Sequence, residues 1–345
     1  MYYVGVDLHK KTISICVVIQ EGGKRRVVKR ETLACSSVDV IEQFFAGLGR
    51  YQVVVEATAS YEWFVQLVES TADRVVLAHP GKLRVIAEST RKTDKLDAQV
   101  LAEFLALDMI PESWRPTPRV REHRVLVRLR HYVQKRIVSV KNKLRNILAN
   151  YNADVPELFT PKGRTYLAQL QLTDADRFTV DMLLAEFDQH KERLKDANAK
   201  LRKFARQAGV AEREAREVLD SIPYVGAVTT DVVLAEVGDI RRFGSQRKAT
   251  AYAGLAPGIR ESAGRGKQLG ITKAGSRLLR WALIETAWRL VGRTRRWGFL
   301  YDRLKKRCGA KKAIVAVARR VWCVMVSMLH RGEKYRMSGE AWVTP

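Results

Sequence analysis

The chain has 345 residues, 46% hydrophobic and 29% charged, which excludes a disulfide-stapled miniprotein, wholesale disorder and a collagen-like rod. Its 62 Lys and Arg against 37 Asp and Glu leave a net charge of +25. Such a field gathers phosphate backbones or anionic lipid and repels a second copy of itself unless a polyanion lies between, so nucleic acid is the leading partner. The excess is uneven: residues 1–110 hold 14 basic and 14 acidic side chains, 111–240 hold 23 and 18, and 241–345 hold 25 and 5. The last third is expected to carry most of the polyanion affinity.

Cys16, Cys35, Cys308 and Cys323 lie far apart with no C-x-x-C pair, so neither zinc nor a disulfide framework is supported. The start, Met1 to Asp7, has no signal-peptide pattern, and the apolar run Ala313 to Ala318 is cut by Arg319 and Arg320. The expectation is a cytoplasmic protein with reduced thiols and no membrane partner.

The first third alternates strand and helix patterns. Tyr2 to Leu8, Thr12 to Ile19 and Arg26 to Leu33 are β-branched runs, the last two joined by a turn at Glu21-Gly22-Gly23-Lys24. Helical spacing follows over Val38 to Leu48, a strand over Tyr51 to Val55, a helix over Tyr61 to Ser70, and a strand over Arg74 to Ala78 before His79-Pro80-Gly81. Leu96, Val100, Leu101, Phe104 and Leu105 mark an amphipathic helix from Lys95 to Leu107, and the three prolines within 111–120 mark an extended connector. This is a mixed α/β domain. Its order, a three-strand meander and then helix, strand, helix, strand, resembles the ribonuclease H-like fold, although the pattern alone equally fits other α/β domains.

Leu126, Leu129, Val133, Ile137, Val140, Leu144 and Ile147 then step by three or four along one helix. After a looser stretch from Pro156 to Gly163, Phe187, Leu194 and Leu201 recur every seven residues, with His190, Ala197 and Phe204 between them. That is either a short coiled coil or a helix packed on its own domain.

Four acids stand out. Asp7 closes the first apolar strand, Glu56 closes Val53-Val54-Val55, and Asp94 and Asp97 share one face at a helix start. Each alone reads as a cap or turn acid. Together they are a hard-oxygen set suited to Mg²⁺ and to phosphodiester chemistry.

Further on, Ile222-Pro223-Tyr224-Val225-Gly226 before an apolar helix resembles a helix-hairpin-helix turn, which presents backbone N–H groups to phosphate, though plain helix connections use the same pattern. Ser262 lies in a Gly-rich basic loop with Arg260, Arg265 and Lys267, followed by Lys273, Arg277 and Arg280. From chemistry alone it is a phosphate-contacting or turn serine, or a nucleophile needing a metal or carboxylate to activate it. Basic residues then alternate with Trp281, Trp288, Trp297 and Tyr301. Arg neutralises phosphate, and Trp either stacks on a base or fills a core.

Gly254-Leu255-x-Pro257 with Ser262, then Thr272-Lys273-x-Gly275 and Leu279-Arg280, resembles the C-terminal domain of the DEDD insertion-sequence transposases, the IS one-ten family of RNA-guided bridge recombinases. Their RuvC-like domain carries its acids in the contexts seen here as Gly5-Val6-Asp7, Val55-Glu56-Ala57-Thr58 and Lys92-Thr93-Asp94-x-x-Asp97-Ala98. The resemblance implies a RuvC-like domain over 1–155, a helical coiled-coil segment over 156–218, and a mainly α, basic transposase domain over 219–345. It further implies that Asp7, Glu56, Asp94 and Asp97 hold Mg²⁺ and that Ser262 forms a transient phosphoserine with DNA. Tyr224, Gly226, Arg260, Arg265, Lys267, Lys273, Arg277 and Arg280 would contact nucleic acid. The implied partners are element-end and target DNA, a structured noncoding RNA, and further copies of the chain in a dimer or tetramer, with the acids and the serine drawn from different subunits. Ala263 follows the serine where the family commonly has Gly. Two rivals remain, a hydrolytic junction-resolving nuclease using the four acids and water, and a non-catalytic nucleic-acid-binding protein.

Overall fold

The computed structural model describes residues 1–58, 60–86, 94–262 and 265–336, and they form two compact units, Met1–Arg115 and Pro116–Pro345. The long helix that begins at Pro118 groups with the helices after it, so the first unit ends at the proline-rich connector.

The first unit is a five-stranded mixed sheet. Strands β1 (Tyr2–Leu8), β2 (Thr12–Glu21) and β3 (Lys24–Ala34) form the antiparallel meander, and β4 (Tyr51–Glu56) and β5 (Arg74–Ala78) add in parallel, giving the order β3-β2-β1-β4-β5. Helices α1 (Val38–Ala46) and α2 (Tyr61–Val68) are the crossovers, and their Ile41, Phe45, Phe64 and Val65 bury against Val4, Val6, Val53 and Val55. Past β5 the chain enters a helix, α3 (Pro80–Ile86), proline being well placed at a first helical position.

Helix α4 (Asp94–Ala106) covers the other face. A Cβ on Gly5 would lie 2.0 Å from the Ala98 carbonyl oxygen and 2.4 Å from the Ala102 nitrogen, so glycine on β1 is what lets this helix lie directly on the sheet. Small Ala98 and Ala102 pack with Cys16 and Val18 of β2, and Arg30 of β3 donates to Gln99.

The second unit is mainly α. Helix α5 (Pro118–Ala149) starts with Thr117 accepting from the Val120 N–H and Pro118 in the first turn, which ends the connector sooner than the sequence suggested. Helix α6 (Pro161–Gln169) occupies the end of the looser stretch. Helix α7 (Asp174–Arg206) then packs along α5, with Val180, Leu183 and Phe187 against Val133, Ile137, Val140 and Leu144. The heptad stripe on α7 thus has a partner in its own chain.

Helices α8 (Val210–Asp220) and α9 (Ala227–Val237) flank the Tyr224–Gly226 turn, and α10 (Gln246–Tyr252) follows. The Gly-rich segment expected as a loop is largely a β-hairpin of β6 (Pro257–Ser262) and β7 (Arg265–Ile271). Helices α11 (Arg277–Arg293), α12 (Arg295–Cys308) and α13 (Ala310–Arg331) complete the unit. Helix α13 is long and apolar enough to cross a membrane on length and composition, and its Ala313, Val317, Val321, Trp322, Met325 and Met328 form the centre of this unit's core.

Candidate functional site

Asp7 and Glu56 are neighbours by strand register. Strands β1 and β4 pair in parallel from Tyr2 and Tyr51 to Val6 and Val55, so the next residue on each is an acid at the carboxyl end of the sheet. Both are partly buried, the Asp7 side chain being 17% exposed.

Helix α4 brings the remaining acids to the same end. Gly5 meets Ala98, Leu101 and Ala102, while Tyr3, nearer the strand start, clusters with Phe104 and Leu105. The helix therefore runs antiparallel to β1, and its first turn, with Asp94 and Asp97, lies over the strand end that carries Asp7. Side chains alternate faces along a strand, so Asp7 shares the Gly5 face, the one that α4 covers. Asp97 is partly buried. The Asp94 side chain and the Lys92-Thr93 part of the motif lie outside the described residues. Among the described residues no three His, Cys, Asp or Glu side chains converge to hold a metal. As a donor set, carboxylate oxygens alone fit a hard divalent cation such as Mg²⁺.

His9 was missed in the sequence. Its Nε2 lies 3.1 Å from Asp7 Oδ2, and its backbone N–H donates to the Thr12 carbonyl, which holds the β1–β2 turn in place. The only signal was a titratable residue two positions after a candidate ligand.

Ser262 is the last residue of β6, paired with Arg265 across the hairpin, while Arg260 pairs with Lys267. The side chains of these four residues lie outside the described part, as do Ala263 and Gly264. The base of the hairpin explains the motif glycines. Gly254 has φ +67° and Gly275 φ +118°, and a Cβ on Gly275 would lie 2.0 Å from the Tyr252 carbonyl oxygen. The Thr272 and Lys273 N–H groups donate to the carbonyls of Ala256 and Gly254. Gly254-Leu255-x-Pro257 and Thr272-Lys273-x-Gly275 thus clamp each other, with Ser262 at the far end of the strands.

Arg280 donates to the Ala253 carbonyl at 3.2 Å and so braces the same base. Burial, with the nearby Arg277 charge, lowers its pKa from the ordinary guanidinium value. Lys273 and Arg277 are exposed. Tyr224, φ +63° and half-exposed, carries Arg293 over its ring at 5.3 Å, and Gly226 caps α9. In that turn the Val225 N–H is already spent on the Ile222 carbonyl.

The acids of α9 serve the fold. Asp231 accepts from Arg216 at 2.8 Å and lies 3.0 Å from His123 Nε2, and Glu236 pairs with Arg128 at 2.9 Å. Glu212 receives Arg119 and Arg216, and Arg119 stacks on Phe204 at 3.4 Å. This network ties α5 to α7, α8 and α9, and its arginines are occupied by carboxylates rather than presented to a polyanion.

Residues 4–153 match a DEDD-type family model described as a transposase, and residues 216–301 match the model of the transposase IS116/IS110/IS902 family. The chain is 26% identical over 342 residues to the transposase for insertion sequence element IS1111A of Coxiella burnetii, covering 96% of this chain and 91% of that protein. It is 23% identical over 296 residues to the transposase for insertion sequence element IS1328 of Yersinia enterocolitica, covering 82% of each.

Proposed function

Because the chain belongs to the IS110 family of insertion-sequence transposases, enzymes that cut and rejoin DNA, we propose that its first unit is a RuvC-like metal site and that Ser262 is the nucleophile of strand exchange. The observation that carries this reading is the sheet order β3-β2-β1-β4-β5 with Asp7 and Glu56 at adjacent strand ends beneath the first turn of α4. Asp7, Glu56, Asp94 and Asp97 would hold Mg²⁺, which when bound offsets the charge that builds on a phosphodiester under attack.

In the reaction proposed, the Ser262 Oγ bonds to phosphorus, the bond from phosphorus to one deoxyribose oxygen breaks, and that oxygen takes up a proton as a hydroxyl. The serine proton leaves to a general base, which in the assembled complex is expected from a subunit other than the one that supplies the serine. The hydroxyl of another strand then displaces the serine, so the number of phosphodiesters is conserved. Placing the serine on a hairpin with a glycine-clamped base supports this role, since a fixed base holds the strand that carries the nucleophile. Lys273, Arg277 and the Tyr224–Gly226 turn would hold the DNA backbone, with Arg260, Arg265 and Lys267 beside the serine. A structured noncoding RNA from the element, a dimer or tetramer as the working assembly and a cytoplasmic setting complete the proposal.

The test is cleavage of labelled DNA carrying the ends of the chain's own element, with transcripts of its noncoding flanks. Asp7→Asn and Asp97→Asn should abolish cleavage while the complex with DNA still forms. Undiminished cleavage by both variants would remove the metal-site reading.

A further inference from the structure

Helices α10, α12 and α13 enclose an open cavity of 760 Å³ whose lining includes Arg247, Arg303, Arg307, Arg319 and Arg320 and, among the described residues, contains no acidic side chain. All five arginines are exposed. The contrast with the arginines of α5 and α8, which are matched by Glu212, Asp231 and Glu236, is sharp. Five like charges around one hollow repel one another, and the arrangement is relieved by an anion with several acceptor oxygens.

The cavity is also partly apolar. Leu300 and Leu304 of α12 and Val324 of α13 line it between the guanidinium groups. A smaller hollow of 200 Å³ adjoins it, shares Leu300, Arg303, Arg320 and Val324, and is bordered by Phe299, which is 69% exposed. A large aromatic ring left in water beside guanidinium groups is a platform for a flat, electron-rich ring. The walls are fixed in place: Trp322 Nε1 donates to the Ala249 carbonyl at 2.9 Å, and Gly309, φ +79°, sets the tight turn between α12 and α13.

Concavity and size decide the occupant. The volume falls within the range of about 300–1,000 Å³ typical of pockets for single small molecules, far too small for a double helix, whose phosphates also lie on a convex surface. We propose that this cavity seats one unpaired nucleotide of a single strand, with its base over Leu300, Leu304 and Val324, its flanking phosphates on the arginines, and the neighbouring base stacked on Phe299. Unpaired strands occur both in a structured RNA and in DNA opened during strand exchange, and the chemistry recognised is common to both. The inference rests on nucleic acid being the partner and is independent of the roles given to Ser262 and the four acids.

The experiment is fluorescence anisotropy of the full chain with labelled oligothymidylate, oligouridylate and a blunt DNA duplex across a salt series. Phe299→Ala changes no charge and removes an exposed ring, so the fold stays intact. It should weaken both single strands about 5- to 150-fold, from stacking worth about 1–3 kcal/mol, and leave the duplex unchanged. Ser327→Trp, which fills the cavity from α13, should do the same, with thermal melting to verify folding. Arg303→Ala with Arg320→Ala should flatten the single-strand salt slope by about 0.7 for each phosphate no longer held. A greater loss for oligouridylate identifies an RNA strand as the occupant, and a greater loss for oligothymidylate a DNA strand. Single-strand affinity unchanged in both Phe299→Ala and Ser327→Trp, or an equal loss for duplex and single strands, would overturn the proposal. So would a Phe299→Ala effect confined to the oligomeric mass measured by light scattering, which would make this a face between copies of the chain.

Discussion

Gly5 of β1 and Ala98 of α4 meet backbone to backbone, with only 2.0 Å between the Ala98 carbonyl oxygen and the place where a Gly5 Cβ would sit. That approach sets the height of α4 above the sheet, and with it the position of the turn that carries Asp94 and Asp97 relative to Asp7.

Gly5→Ala should therefore act twice. The methyl has backbone on its far side, not a flexible chain, so overpacking should cost about 1–3 kcal/mol of stability. It should also reduce cleavage beyond what lost stability explains, because the helix moves while every acid is retained. Thermal melting together with cleavage assays below the melting temperature checks both. An unchanged melting temperature would mean that α4 does not rest on β1 as described.

Asp231 is the hinge of the ionic network in the second unit. Its side chain is 9% exposed and that of its partner Arg216 is 12% exposed, so Asp231→Ala takes one of two carboxylates from a largely buried guanidinium and leaves it only Glu212. The expected loss is about 1.5–3 kcal/mol by denaturant unfolding, the range for a hydrogen bond to a charged group. A double variant with Arg216→Met should recover part of it, since the guanidinium is then gone and Glu212 still keeps Arg119.

The same network predicts acid sensitivity. Burial pushes the Glu212 carboxyl up, but hydrogen bonds and charge from Arg119 and Arg216 more than reverse this, leaving its pKa below the ordinary 4.5. A carboxyl depressed in the folded state binds fewer protons there than in the unfolded chain. The stability it contributes is thus present above its unfolded value and is lost as pH falls through the folded one. Glu212→Gln should be less stable than the wild type at neutral pH, with the gap narrowing as the pH falls below about 4.5. Urea midpoints followed from neutral into acid solution measure this, and a constant gap would contradict it.

The hairpin base should prove equally exacting. Gly275→Ala combines a strained φ of +118° with a Cβ only 2.0 Å from the Tyr252 carbonyl oxygen. It should suppress strand exchange while leaving the far-ultraviolet circular dichroism of this mainly helical unit unchanged. Full recombination by this variant would mean that the clamp has no bearing on chemistry.

What could be read from the sequence followed the range of the signal. Strands β1 to β5 and helix α4 announce themselves locally, through β-branched runs, turn residues and helical spacing, and Asp7 and Glu56 were visible as acids ending apolar strands. The Ser262 hairpin did not, because glycine and basic residues mask the strand pattern on both sides of its tip. Helix α6 was also hidden, its apolar positions being few. The ionic network was out of reach: His123 and Asp231, and likewise Arg128 and Glu236, are 108 residues apart, and only folding brings such pairs together. The arginine cavity has the same origin: the basic excess of the last third was visible, but not which of its arginines three helices gather around one hollow.

The central claim is that Ser262 takes the DNA phosphate. The direct measurement is peptide mass spectrometry of the full chain after incubation with its element-end DNA, the flanking transcripts and Mg²⁺. The account predicts a nucleotide adduct on the peptide containing Ser262, absent with EDTA and absent in Ser262→Ala, and still formed by Ser276→Ala, whose hydroxyl only caps α11 through the Leu279 N–H. An adduct on Tyr252, or Mg²⁺-dependent cleavage with no adduct on any residue, would contradict it and favour a metal-dependent hydrolytic nuclease.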